Sequence, residues 1–454
     1  MDLVVKKFLS QPQVLLVGLI TAVLSGLLST YYWFFNRPAY DYLTVGSGRT
    51  WGRAIRSDAV GYYSWIPTVL NEFPNLCGRQ FADSSMIIQP MIASSFHLYS
   101  VDSACVIPAY TVGLPLTWLP VWITVHIPQL FGFHNGVHAN SHLSNLDGFA
   151  IALSGAIFGI VGCIYLFKSL LLLIPSRALF ITFVSFFGTS AYHHSTFDSV
   201  LSHSASFMFI SILLYLCLHP IASIKKFSIT ISMILAMIIL VRPTNILISI
   251  LVLPSIMHQI KANRSKQLSG AFTWWFAIIA LAAGMFVAIQ GTLWYLVTGR
   301  ILINSYDGVP STLDGFDISS LRSLPEVLYG QSGLLMFSPV LAFALIGLTK
   351  SLPGTTKLTM TSIRVSILGL FIVITLWPAS AIKMGGWGSR MFIDFLPLFA
   401  IGLASLYVWL IRKQRQTWPL SFVLTICVCL NLFQMFSYWL GNWENSRFLF
   451  NVLH

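Results

Sequence analysis

Long apolar runs alternate with short polar breaks along the chain, and the runs have the length of membrane-spanning helices. They fall at about 14–35, 147–167, 178–192, 200–219, 227–241, 243–258, 271–297, 332–349, 365–382, 391–411 and 417–440. A span takes roughly 20 residues, because the hydrocarbon layer is about 30 Å thick and a helix rises about 1.5 Å per residue. A twelfth run, IPAYTVGLPLTWLPVWITVHIPQL at 107–130, carries Pro108, Pro115, Pro120 and Pro128. Each proline removes a backbone donor that a helix interior needs.

Charge decides whether that twelfth run crosses. With 107–130 left out, Lys6/Lys7, Lys168/Arg177, Lys225/Lys226, Lys261/Arg264/Lys266, Lys350/Lys357/Arg364 and Arg412/Lys413/Arg415 all fall on one side of the membrane. These are 15 of the 26 basic residues, all in short connections, and short basic connections face the cytoplasm. Counting 107–130 as a span moves Lys168/Arg177 and every later cluster outside. The reading is therefore eleven spans, N-terminus in and C-terminus out, with 107–130 as a re-entrant or interfacial helix on the outer face. The first run is long for a signal-peptide core and no small-x-small site closes it, so it reads as an uncleaved span.

One transmembrane domain, 1–454, follows from this. Its parts are the first span (14–35), a long outer loop with interfacial helices (36–146), spans two to seven (147–297), a second outer loop (298–331), spans eight to eleven (332–440) and an outer tail (441–454). Composition agrees: the 454 residues are 56% hydrophobic and 9% charged, against about 25% charged in soluble domains. The net charge of +12 resides in helix-end clusters, an orientation signal and not a nucleic-acid stripe. Of 14 acids, Asp2 alone falls inside; the other 13 sit on the outer face or at outer helix ends. Cys77 and Cys105 share the first outer loop, where an oxidising compartment permits a disulfide between them.

Candidate chemistry therefore collects outside. In RSDAVGYYSW (56–65), Asp58 is placed to act as general base on a hydroxyl, or merely to pair with Arg53 or Arg56; Tyr62 and Tyr63 follow as binding candidates or interfacial anchors. In KMGGWGSRM (383–391), Arg390 and Lys383 suit a lipid phosphate, which guanidinium grips in a two-pronged way; the plainer reading is an Arg390–Asp394 pair at a helix start. Arg242 in VRPTN (241–245) is a further cation at a helix end for an anionic head group. YHHSTFDSVLSH (192–203) offers His193, His194, Asp198 and His203, but the spacing matches no defined metal motif and no metal is assigned. The loop 298–331 adds Asp307, a weak acceptor-binding candidate beside His194 and Asp198. No cofactor is assigned, and nothing supports a divalent cation.

Several of these segments together resemble a known family. The Asp-x-x-Gly-Tyr-Tyr stretch, YTVGLPLTWLP (110–120), DGFAIALSGAIFGIVGCIYLF (147–167), SHSASFMFISILLYL (202–216), LVRPTNILI (240–248), GLLMFSPVL (333–341) and GGWGSRMFIDFLPLFAIGLA (385–404) are similar to segments of bacterial integral-membrane glycosyltransferases of the GT-C fold. That group includes relatives of the dolichyl-linked mannosyl- and aminoarabinosyl-transferases and resembles enzymes that modify O-antigen.

The resemblance implies a polyprenyl-phosphate sugar as donor, an envelope glycan or lipid such as lipopolysaccharide as acceptor, and inverting transfer on the outer face of the bacterial inner membrane. Asp58 becomes the base and Arg390 the prime phosphate contact, with Arg242 and Lys383 behind it. Some relatives carry two adjacent acids where this chain has Asp58–Ala59, which keeps Asp83 and Asp41 as secondary acids. The alternatives are a flippase or transporter for polyprenyl-linked glycans, or an O-antigen polymerase. A cysteine placed at position 58 should react with an impermeant thiol reagent in intact cells, and protection there until the membrane is opened would reverse the sidedness.

Overall fold

The structure is a computed structural model that describes residues 11–36, 58–72, 98–102, 105–108, 110–130, 145–219, 223–262, 268–303, 324–330, 332–376 and 387–440, with a few residues and one short helix near the C-terminus besides. The chain is a largely helical membrane protein. The longer helices are α1 (Gln11–Asn36), α2 (Gly113–Leu130), α3 (Asn145–Leu173), α4 (Ala178–Phe187), α5 (Ser202–Leu218), α6 (Ile224–Val241), α7 (Val252–Ala262), α8 (Leu268–Phe286), α9 (Val340–Leu348), α10 (Lys357–Leu376), α11 (Leu396–Arg412) and α12 (Trp418–Trp439). Shorter helices are named by their residues. Six helical stretches are long and apolar enough to cross a membrane, and a seventh results if the pair bent at Pro339 counts as one. Shorter apolar helices, among them α4, α5 and α11, occupy other runs read from the sequence.

One departure from an all-helical chain lies between α1 and α2. Leu98–Asp102 pairs antiparallel with Cys105–Pro108, with an irregularity between Ser100 and Asp102. Helix α2 then forms through Pro115, Pro120 and Pro128. It lies against α3, where Trp122 Nε1 donates to Asp147 Oδ1 at 2.5 Å and His126 Nε2 stands 3.4 Å from the same oxygen.

Burial sorts the helices into centre and rim. Every residue from Leu396 to Tyr407 of α11 is buried, so this helix is apolar all round and central. It packs against α9, α5 and α4, while α5 lies along α3. At the rim, the stretch Gly270–Thr298 has an apolar window only 11% buried, as a lipid-facing helix should. Within that stretch a π turn, Val287–Gly291, turns the buried Gln290 inward, where its Oε1 accepts the Val112 amide at 2.7 Å.

Two physical rules of the apolar phase shape the interior. Helices gain no hydrophobic drive against one another in lipid, so small residues at crossings allow close van der Waals contact. Gly347 of α9 and Gly402 of α11 meet this way: a Cβ on Gly347 would strike the Gly402 carbonyl oxygen, and one on Gly402 the Ala344 carbonyl oxygen. Many interior hydroxyls are satisfied within their own helix, as Ser154 donates to the Ala150 carbonyl, Thr182 to Ala178, Ser232 to Ser228 and Ser405 to Ile401. Replacing Gly347 with Val should cost about 1–3 kcal/mol by overpacking, read as a lower melting temperature of the detergent-solubilised protein; an unchanged melting temperature would remove the crossing from the stabilising contacts.

Candidate active site

Where several helix ends meet, segments far apart in sequence bring their charges together. Asp58 opens the short helix Asp58–Tyr63, and its Oδ2 accepts from Arg390 Nη2 at 2.9 Å across 332 residues of sequence. Both side chains keep about a fifth of their surface, 22% for Asp58 and 21% for Arg390, so the pair is only partly buried. The partner expected nearest in sequence is not the one used. Arg390 begins a single 3-10 turn through Phe392, and α11 starts at Leu396. Residues four apart share a face only in an α-helix, so Arg390 and Asp394 diverge.

Asp394 instead gathers donors from two other helix ends. Its side chain is 1% exposed; Oδ1 faces His203 Nδ1 at 2.9 Å, and Oδ2 accepts from Asn245 Nδ2 at 2.8 Å with Arg242 Nε at 3.5 Å. Asn245 also donates to Ser206 Oγ at 3.2 Å. Arg242 ends α6 in an extended conformation before Pro243, and its side chain reaches the start of α5. Its Nη1 lies 2.9 and 3.2 Å from the two ring nitrogens of His203. A guanidinium can only donate, so the consistent state is His203 with its proton on Nδ1 toward Asp394 and the Nε2 lone pair toward Arg242.

Tyr62 lines the same region. Its ring stacks on Tyr110 at 4.3 Å and meets Trp118 edge-on at 6.5 Å, and its hydroxyl reaches Ser202 Oγ at 3.3 Å. Burial pushes the phenol above its ordinary range, and Arg242 opposes that shift. Tyr63 turns elsewhere, to a hydrogen bond with Asp147 in the cluster that holds α2 to α3.

Behind Arg390 the segment Trp387–Ser389 lies against the helix Ala191–Ser195. Gly388 adopts φ +72°, a conformation suited to glycine, and a Cβ there would strike Ser190 Oγ. His194 is buried beside this turn, with Nδ1 3.6 Å from Asp198 Oδ2 and the Trp387 backbone against its ring. Burial lowers its pKa to about 4 despite the pull of Asp198, so the ring is neutral near pH 7.

His193, His194 and Asp198 present ligand atoms within 4.8 Å of one another, close enough to suggest a metal. However, His193 Nδ1 accepts the indole N–H of Trp439 at 3.1 Å. A neutral imidazole that accepts at one nitrogen carries its proton on the other, so His193 has no lone pair left and the group offers a metal two ligands.

No family model, curated protein or solved structure matches the chain.

The geometry thus joins Asp58, Arg390, Arg242 and Tyr62, and places His194 and Asp198 alongside them. Asn245, Asp394 and Ser206 join the same cluster, although sequence gave them no role in the chemistry. Asp41, Asp83, Asp307, Lys383 and Cys77 lie outside the described residues, as does the side chain of Cys105. Replacing Asp394 with Ala would strand Arg242 and His203 without their acceptor and should cost about 3–5 kcal/mol. Thermal unfolding in detergent reads that loss, and an unchanged melting temperature would show the network to be dispensable.

Proposed function

We propose that this chain is a membrane glycosyltransferase of the GT-C type, working at the outer face of the bacterial inner membrane. It moves a sugar from a polyprenyl-phosphate donor to an envelope glycan or lipid such as the O-antigen of lipopolysaccharide. On this reading eleven stretches cross the bilayer, the N-terminus is cytoplasmic and the C-terminus extracytoplasmic, with the shorter apolar helices completing the six long ones. The observation that carries it is the 2.9 Å pairing of a partly exposed carboxylate, Asp58, with a guanidinium from the opposite end of the chain, Arg390. A second guanidinium, Arg242, sits nearby in the Asp394 network, and Tyr62 responds to the charges of all of Arg242, Asp58 and Arg390.

The pairing orders the chemistry. While Arg390 holds Asp58, the carboxylate is a weak base and the cation is occupied. A donor phosphate competes for Arg390, and its arrival frees Asp58 to take the proton of the acceptor hydroxyl. The deprotonating oxygen attacks the anomeric carbon, the bond from that carbon to the phosphate oxygen breaks, and the departing polyprenyl phosphate carries away the electron pair. Arg390 and Arg242 stabilise the charge developing on that phosphate. Tyr62, Tyr110 and Trp118 supply an apolar wall that limits access of water, which would otherwise hydrolyse the donor.

Asp58→Asn separates the two roles of the pair. Transfer from a labelled polyprenyl-phosphate sugar in purified membranes should fall at least about a hundredfold with loss of the base. Binding of polyprenyl phosphate itself should tighten, because Arg390 no longer has a carboxylate rival. Near-normal transfer by a well-folded variant would remove Asp58 from the reaction.

A further inference from the structure

Helix α11 runs 17 residues, about 25 Å, from the Asp394 network to the opposite pole of the bundle. Two cations meet one ring there. Lys350 Nζ, just past the end of α9, stands 4.9 Å from the centre of the Trp409 indole, and Arg415 Cζ, just past the end of α11, stands 6.0 Å from the same centre. A ring face attracts each cation, but the two like charges repel one another. No carboxylate offsets that repulsion. The sequence holds no Asp or Glu at 327–393 or 395–443, and among the described residues neither cation has an acidic partner.

The fold nonetheless holds both cations in place. Arg364 of α10 donates through Nε to the Leu348 carbonyl at 2.7 Å and through Nη2 to the Lys350 carbonyl at 3.2 Å, which pins the backbone that carries Lys350. Arg415 is turned back over its own helix by a closing turn: its amide bonds the Leu410 carbonyl at 3.0 Å, and the Gln414 amide bonds the Ile411 carbonyl at 3.0 Å. Glycine usually makes that turn. Here Gln414 makes it at φ 52°, and among the described residues no other non-glycine residue has a positive φ. Strain kept in such a turn points to a use for the geometry it sets. The surroundings are those of a membrane surface. Arg415 is exposed and Trp409 half-buried, while Trp418 at the start of α12 and Phe422 one turn later are both more than 60% exposed.

We infer that Lys350, Arg415 and Trp409 form a site for the head group of an anionic phospholipid. The phosphate lies between the two cations and removes their repulsion, the indole fixes their spacing, and the acyl chains meet the exposed apolar side chains that begin α12. A zwitterionic head group brings an ammonium that Lys350 and Arg415 repel, so the site selects net negative charge. It is separate from the Asp58–Arg390 pair and independent of the transferase reading.

The test titrates the detergent-solubilised full chain with phosphatidylglycerol or phosphatidylcholine and counts bound lipid by native mass spectrometry. Wild type should bind its first phosphatidylglycerol more tightly than phosphatidylcholine, by about fivefold for each cation engaged. Lys350→Gln and Arg415→Gln should each lose about fivefold of that preference, and the double variant nearly all of it. Trp409→Leu keeps the charge and should still lower the preference, because the cations lose the ring that gathers them. Lys225→Gln with Lys226→Gln removes two exposed cations at the start of α6 and should leave the preference unchanged. No preference in wild type overturns the site, as does an undiminished one in the Lys350/Arg415 double variant or in folded Trp409→Leu. An equal loss in the Lys225/Lys226 variant overturns it in favour of diffuse surface charge. Displacement of phosphatidylglycerol by an equal concentration of inorganic phosphate overturns the lipid in favour of a soluble phosphate.

Discussion

A charge taken out of water must be met by an opposite charge or a full set of hydrogen bonds, and that constraint organises the place where the start of α5, the end of α6 and the start of α11 meet. Asp394 satisfies it by drawing His203 from the start of α5, and Arg242 and Asn245 from the end of α6 and the turn after it. The start of α11 is thereby fixed against two other helix ends. Arg390, four residues earlier, is then carried to the place where Asp58 meets it. The two ion pairs share one short segment, Arg390–Asp394, so the position of the exposed pair follows from the packing of the buried one.

The contrast with the membrane interior is physical and not merely compositional. In the apolar layer, many hydroxyls donate to carbonyls of their own helix, as Ser154, Thr182 and Ser405 do, while Ser255 reaches across to the Cys217 carbonyl at 2.7 Å. The Gly347–Gly402 crossing rests on shape, whereas around Asp394 the polar bonds run between helix ends and involve charge. A site built on the second kind of contact can change partners when a charged ligand arrives, whereas one built on the first cannot.

Much of the helical layout was legible because spanning length and hydropathy are local properties. The run 147–167 appears within α3 (Asn145–Leu173), and the run 417–440 matches α12. The bend at Pro339 was not foreseen, since 332–349 reads as one apolar run whether or not its middle is broken. Asp58 and Arg390 were each visible as isolated charges beside glycines. Their partnership was not, because nothing local links residues 332 positions apart. Asn245 was legible only as part of VRPTN: an asparagine just past a helix-ending proline reads as a turn residue, and its bond to Asp394 exists only once α11 is in place. His194 shows the same limit, for its burial between Asp198 and the Trp387 backbone is a property of the packed fold.

The π turn at Val287–Gly291 has a mechanical consequence. One extra residue in that turn lets Gln290 reach inward and hold the Val112 amide, two residues beyond the Tyr110 ring on which Tyr62 stacks. The helix that makes this tie faces lipid along most of its length. Phe286, Ile289 and Leu293 of the same stretch pack against Trp65 and Val112, so a helix that is mostly exposed along its apolar window is anchored to the aromatic wall at this one level.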